Sequence, residues 1–333
     1  MARTLLTPRT ARVAARTMIA AVALVVIAAR PAVAQQYPAK PIRVLVGFGP
    51  GAPDTVARLI GPALSAQLGQ PVVVENRPGA NGVIATDVVA KAPADGYTLL
   101  LTSSSIAVNP SIYKKLPYEL PRDLTPITSI CETEAYILGI NPGVPAKTLQ
   151  ELIAYAKKPD AKLAYGSPGV GNSLHLAAEL FNARAGTKLL HVPYKGAGAA
   201  IAALLANEVQ VMFLTAPLSI AHIRAGKLRA IGYTHTQRAK YLPDVPTLIE
   251  AGLDMKIDGG FYGLFAPAGL APEIANRLHA EVVKAIANAT VRERFAALGL
   301  DPVGSAPADF AKMFAEQIRI NAELVKLAAI QPE

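Results

Sequence analysis

The chain has 333 residues, 52% of them hydrophobic, a formal net charge of +9 and a single cysteine, Cys131. One cysteine excludes an intrachain disulfide, and the length suffices for two domains. Residues 1–34 hold five of the 33 basic residues and no acid, so the rest of the chain carries only +4. That modest excess suits a small anion and argues against a nucleic-acid partner.

Arg3, Arg9, Arg12 and Arg16 form a basic start, followed by an apolar run from Met18 to Ala29 and the small-residue pattern Ala32-Val33-Ala34. This is the pattern of a secretory signal peptide over residues 1–34, with an apolar core too short to cross a bilayer. Strand and helix then alternate. KPIRVLVGF (40–48) reads as a buried strand, 55–69 as an amphipathic helix, 71–76 as a strand, 83–92 as a helix and 97–104 as a third strand. This is a β-α-β-α-β pattern of a parallel sheet with flanking helices. INPGVP (140–145) reads as a segment crossing to a second unit, which opens with a helix over 148–158 and continues as alternating strands and helices to LRAIGYT. GFYGLFAPAG (260–269) reads as the return, with helices over 272–289, 290–298 and 307–328.

Two such units joined by crossing strands leave a cleft, and open α/β sheets bind ligands at the carboxyl ends of their strands. Three polar or glycine-rich loops stand at strand ends: GFGPGAPD (47–54), TSSS (102–105) and the stretch YGSPGVGNS that precedes an apolar helix. Each alone is equally a plain turn. The first also matches the dinucleotide fingerprint G-x-G-x-x-G/A, with Glu75 at the end of the next strand. Pro50 and Pro53 weaken that match by removing two amides from a loop that would have to cradle pyrophosphate. His175, His191, His222, His235 and His279 show no metal-ligand spacing, so no metal is expected. There is no G-x-S-x-G nucleophile elbow.

YPAKPIRVLVGFGPGAPD, VENRPGANG, NPSIYKKLPYELPRDLTPI, YGSPGVGNSLHLAAELF, HVPYKGAGAAIAALL, DVPTLIEAG and FYGLFAPAGLAP occur in this order. Together they resemble the Bug-type substrate-binding proteins of tripartite tricarboxylate transporters, from about Tyr37 to the C terminus. The resemblance implies an α/β, two-lobed periplasmic binding protein of Venus-flytrap type. It implies capture of a small organic acid in the interdomain cleft and delivery to membrane permease subunits. No catalysis and no cofactor are implied, and a monomer is expected. An exported α/β enzyme acting on a carboxylate in the same cleft is the alternative. The lobes are expected at 37–138 plus 260–333 and at 139–259, with hinges near 137–141 and 257–262.

The resemblance also implies two loops meeting across the cleft on a ligand carboxylate. In this chain they are Phe48 to Asp54, with Gly51, Ala52 and Pro53, and Ser167 to Ser173, with Gly171 and Asn172. Free amides at a helix start and small residues give an anion close approach to the backbone. Ser103, Ser104, Lys195, Thr215 and Phe261 complete the expected ligand-binding set. Three departures from the family pattern are visible. Ala52 and Pro53 replace a second glycine and its neighbour. Thr215 stands where many relatives carry an aspartate, which argues against amino-acid ligands. The aromatic position near Phe261 and Tyr262 holds no tryptophan.

Overall fold

The structure, a computed structural model, describes residues 37–332. The expected signal peptide over residues 1–34 lies outside the described residues. Within Lys40–Glu333 the described strands form two sheets. The first contains β1 (Ile42–Val46), β2 (Val72–Asn76), β3 (Thr98–Ser103), β4 (Leu124–Glu132), β10 (Phe261–Pro267) and β11 (Asp301–Pro302) in the order β11-β4-β10-β3-β1-β2. The second contains β5 (Ile137–Ile140), β6 (Ala164–Ser167), β7 (Leu190–Pro193), β8 (Val211–Leu214) and β9 (Arg229–Tyr233) in the order β7-β6-β8-β5-β9.

Each sheet has a point where the strand order reverses. β1 pairs in parallel with β2 on one side and with β3 on the other. β6 does the same with β7 and β8. Loops leaving two parallel neighbours toward opposite sides open a crevice, and this is where open α/β sheets hold ligands. The turns after β1, β3, β6 and β8 therefore come from the two switch points.

The chain changes sheets earlier than the sequence suggested. β5 already belongs to the second sheet at Ile137, where it pairs with Leu214 of β8 and Tyr233 of β9. The crossing is therefore at 133–136, not at INPGVP. It lies beside the return segment. Ala135 bridges Asp258, Thr133 N–H donates to Gly260 O at 2.9 Å, and Gly259 N–H donates to Glu134 O at 2.7 Å. A Cβ at Gly259 would sit 1.7 Å from Thr133 O, so these segments approach as closely as they do only because that side chain is missing.

Each sheet packs its own core. Phe261, Phe265, Phe310 and Phe314 cluster in one, with Phe261 and Phe310 edge-to-face at 5.0 Å. Tyr165, Phe181, Phe213 and Leu204 belong to the other. The last helix, Pro307–Leu327, runs between them: Phe310 and Phe314 fill the first core and Leu324 packs against the second. Near its end Val325 and Ala328 form a small cluster with Val108, Ile112 and Leu176, joining residues from both sides of the cleft.

Helix α1 (Ala52–Leu68) starts three residues before the expected boundary, with Pro53 inside its first turn. Proline is tolerated there because that N–H has no helical acceptor. Gly61, within α1, has no atom of another element nearer than 4.0 Å to its missing Cβ, but it precedes Pro62 in the helix. The two glycines should thus respond differently to alanine. Gly61→Ala should be close to neutral, since the gain of about 0.5–1 kcal/mol from helix propensity is offset by crowding between a Cβ and the Pro62 ring. Gly259→Ala should lower it by at least about 1–3 kcal/mol, as overpacking does. Urea unfolding of both variants checks the pair, and equal effects would contradict the assigned crossing geometry.

Candidate functional site

The turn after β1 is shaped by backbone. Gly51 is extended and precedes α1 without any side-chain cap, so the first amides of the helix have no capping partner. Asn76 Nδ2 donates to Phe48 O at 2.9 Å and fixes the turn from β2. Asp54 does not face the crevice: its carboxylate takes Arg58 Nε at 2.9 Å, one helical turn on. Phe48, Gly51, Ala52 and Pro53 line an inner cavity of about 50 Å³ together with Ser103 and Ser104 from the end of β3.

The opposite wall comes from the second sheet. Helix α5 (Ser173–Ala185) follows β6, and Asn172, Ser173 and Thr215 reach the cavity. (Helices α2, Val83–Ala90, α3, Asn109–Ile112, and α4, Leu149–Ala156, precede it.) Phe261 closes the base and is at the same time part of the first core. Tyr136 and Tyr262 complete the base near the crossing segments, and burial pushes both phenols upward, so they stay neutral donors. Among the described residues, no lysine, arginine, aspartate or glutamate lines this cavity. An anion here must be held by amides, hydroxyls and helix starts.

The turn 167–173 differs from expectation. Its amides from Gly171 to Ser173 are already used. Gly171 N–H donates to His175 Nδ1 at 3.1 Å, Asn172 N–H to Gly169 O at 3.3 Å and Ser173 N–H to Ser105 Oγ at 3.2 Å. Asn172 Oδ1 caps α5 by accepting Leu174 N–H at 3.0 Å. The uncapped start lies across the crevice at α1, and this turn offers side chains instead. Ser167 and Gly171 stand behind the cavity. Ser167 Oγ meets His191 Nε2 at 2.7 Å and is fully buried. Gly171 has φ +74, and a Cβ on it would fall 1.6 Å from Ile112 Cδ1, so its bareness serves the approach of the two lobes rather than of a ligand. Lys195 is exposed and lines an adjoining outer cavity of about 570 Å³ beside Tyr194 and Gly79, which shares Phe48 and Pro168 with the inner one.

The sequence profile of the tripartite tricarboxylate transporter family receptor matches residues 56–330. The chain belongs to that family. Its relatives include protein BugT of Bordetella pertussis, 38% identical over 301 residues that make up 90% of this chain and 92% of BugT. Among solved structures, Rpa4515 of R. palustris with adipate aligns at a TM-score of 0.85 and 30% identity, over 89% of this chain and 100% of that one. MatC of Rhodopseudomonas palustris with bound malate aligns at 0.82 and 32%, over 87% and 100%. The fold is that of the two-lobed periplasmic binding proteins, as the sequence implied.

The receptor also uses residues that sequence reasoning passed over. Ser105 is one: its hydroxyl lies 3.0 Å from Ser173 Oγ, joining the first wall to the second. Asn81 is another. Its amide nitrogen faces Asn109 Oδ1 at 2.7 Å, Gly171 O at 3.0 Å and Ser105 O at 3.2 Å, two hydrogens shared among three acceptors. Asn81 sits at φ +49, a backbone setting that asparagine tolerates better than most residues. The motif VENRPGANG was visible as a turn, but nothing in it indicated that its asparagine reaches across the crevice.

Behind the second turn, His175 stacks on His191 with centroids 4.1 Å apart, and His191 stacks on Tyr165 at 4.8 Å. The Tyr165 hydroxyl donates to Glu179. Burial pushes both histidines down to about 4, with His175 adding to the effect on His191. Between about pH 4 and 6.5 the unfolded chain binds protons that the folded receptor refuses. Stability is therefore retained above that window and lost as pH falls through it, at up to about 1.4 kcal/mol per pH unit for each histidine. His175→Asn should remove one histidine's share of the slope. Thermal unfolding of both proteins across this range tests it, and an identical slope in the variant would contradict the neutral, buried assignment.

Proposed function

We propose that the receptor is a periplasmic solute-binding protein. It captures a small organic acid between its lobes and delivers it to the membrane permease subunits of a tripartite transporter. The observation that carries this reading is the uncapped start of α1, open to a cavity between two switch points that no charged side chain among the described residues lines. Backbone amides at a helix start select a carboxylate, and the helix dipole adds to the attraction. Adipate and malate in the two solved relatives are acids of the same kind. Export follows from the leader read over residues 1–34, and the protein acts as a monomer without cofactor.

The expected lobes, 37–138 with 260–333 and 139–259, are kept with one adjustment. We place the first hinge at 133–136, because β5 pairs within the second sheet from Ile137. Binding rather than catalysis is supported by the histidines nearest the cavity. Neither His175 nor His191 is among the described residues that line it; both stand behind the turn, His175 Nδ1 on Gly171 N–H and His191 Nε2 on the Ser167 hydroxyl, so neither presents a base to a ligand there.

Thermal unfolding with malate, adipate and succinate tests this reading. At a hundredfold excess over its Kd, a bound acid should stabilise the protein by about 2.7 kcal/mol. Mass spectrometry after prolonged incubation should recover the acid unchanged. Conversion of the acid, or no stabilisation by any of them, would contradict the reading.

A further inference from the structure

The last helix, Pro307–Leu327, reaches both lobes. Phe310 and Phe314 root its first half in the first core. In its last turns Leu324 packs against the second core, and Val325 joins Leu176 of α5 in the small cluster between the lobes. Between these anchors the helix stands off the hinge. A cavity of about 140 Å³ lies between Gln317, Ile320 and Asn321 and the return segment 256–259. Another of about 360 Å³ lies between Met313 and Gln317 and the crossing residues Glu132, Thr133 and Glu134. The helix is held at its ends and leaves the hinge room to turn beneath it.

One residue of that inner face opposes the packing. Asn321 is only 7% exposed and borders the 140 Å³ cavity, yet its side chain makes no hydrogen bond to another described residue. A buried amide without partners costs free energy that bulk water would return. Opening the lobes widens the groove and admits that water, and closing narrows it. Leu324 acts in the opposite sense, because its contacts with Leu176 and the second core need the lobes together. We infer that the last helix is a strap whose final turns set the balance between open and closed lobes before any ligand arrives. Leu324 pulls toward closure and the Asn321 amide toward opening. Opposed contributions of similar size keep the equilibrium within reach of a ligand's binding energy. The inference rests on the proposed lobes with their hinge at 133–136, and not on which acid is bound.

Small-angle scattering of the ligand-free protein and its variants tests the strap. Leu324→Ala keeps the helix but removes three carbons from the contact, and should shift the closed-to-open ratio toward open by about five- to tenfold. Asn321→Leu removes the unpartnered amide beside a cavity with room for the new side chain, and should shift the ratio toward closed by about fivefold or more. Leu324→Ala should therefore have the largest radius of gyration and Asn321→Leu the smallest, with wild type between them or level with one. Leu327→Ala, in the same turn but facing solvent, should scatter as wild type does. Unfolding curves confirm that all variants are folded. Identical profiles or the reverse order overturn the inference. So does an equal expansion in Leu327→Ala, which would show fraying of the helix end instead of release of the second lobe. Repeating the series with adipate, succinate and malate separates the two readings. If no acid compacts any of the proteins, the acid-binding reading is contradicted, while the ligand-free order still decides the strap.

Discussion

The site depends on one constraint: two sheets must present their switch points to each other across a gap small enough for one ligand to touch both. The turns that meet there cannot carry bulk. Gly198 N–H of the second sheet's side donates to Pro50 O at 3.2 Å, backbone directly against backbone. A side chain at Gly171 would strike Ile112. The glycine-rich character of these loops follows from that approach as much as from ligand contact. It also accounts for the neutral lining. With cationic side chains absent from the wall, charge recognition falls to helix starts and hydroxyls, which are short and fixed in place.

The same constraint shapes what joins the lobes. Asn81, Asn109, Ser105, Asn172 and Ser173 make a buried polar seam, and Val108, Ile112, Leu176 and Val325 an apolar one beside it. Buried polar groups are tolerated only when partnered, so the polar seam is satisfied in the structure as it stands. Separation of the lobes would hand those groups to water at modest net cost, whereas the apolar seam would lose its burial. Such a combination favours a pair of discrete arrangements over a continuum, and hinge closure around a ligand belongs to that class of motion. The crossing at 133–136 and the return at 257–260 sit side by side, as a two-stranded hinge would.

Much of the fold was legible because the first sheet's parallel strands are short apolar runs bounded by glycine and proline, and their helices are amphipathic. β4 was not legible. LTPITSICE mixes proline, threonine and serine into a strand whose pairing with β10 is interrupted by register shifts, so neither alternation nor a continuous apolar run marks it. Missing β4 moved the expected crossing several residues too far along the chain. Of the expected site, the turn after β1, the serines after β3, and Asn172, Ser173, Thr215 and Phe261 lie around one cavity. Asp54, Ser167, Gly171 and Lys195 do not line it. Each shares a loop with residues that do, and sequence places loops more readily than it orients individual side chains. Asp54 is drawn away by Arg58, Ser167 by His191, and Lys195 by solvent. The partners of the amides at 171–173 depend on Ser105 and His175, whose contacts arise only in three dimensions.

The account rests on a carboxylate held by backbone at the start of α1 without help from a side-chain cation. A crystal structure of the protein with succinate or adipate bound measures this directly. The expected result is a carboxylate in the inner cavity with its oxygens about 2.7–3.2 Å from the amide nitrogens of Gly51 and Ala52. A carboxylate paired with Lys195 in the outer cavity, with the α1 amides left to water, would contradict it.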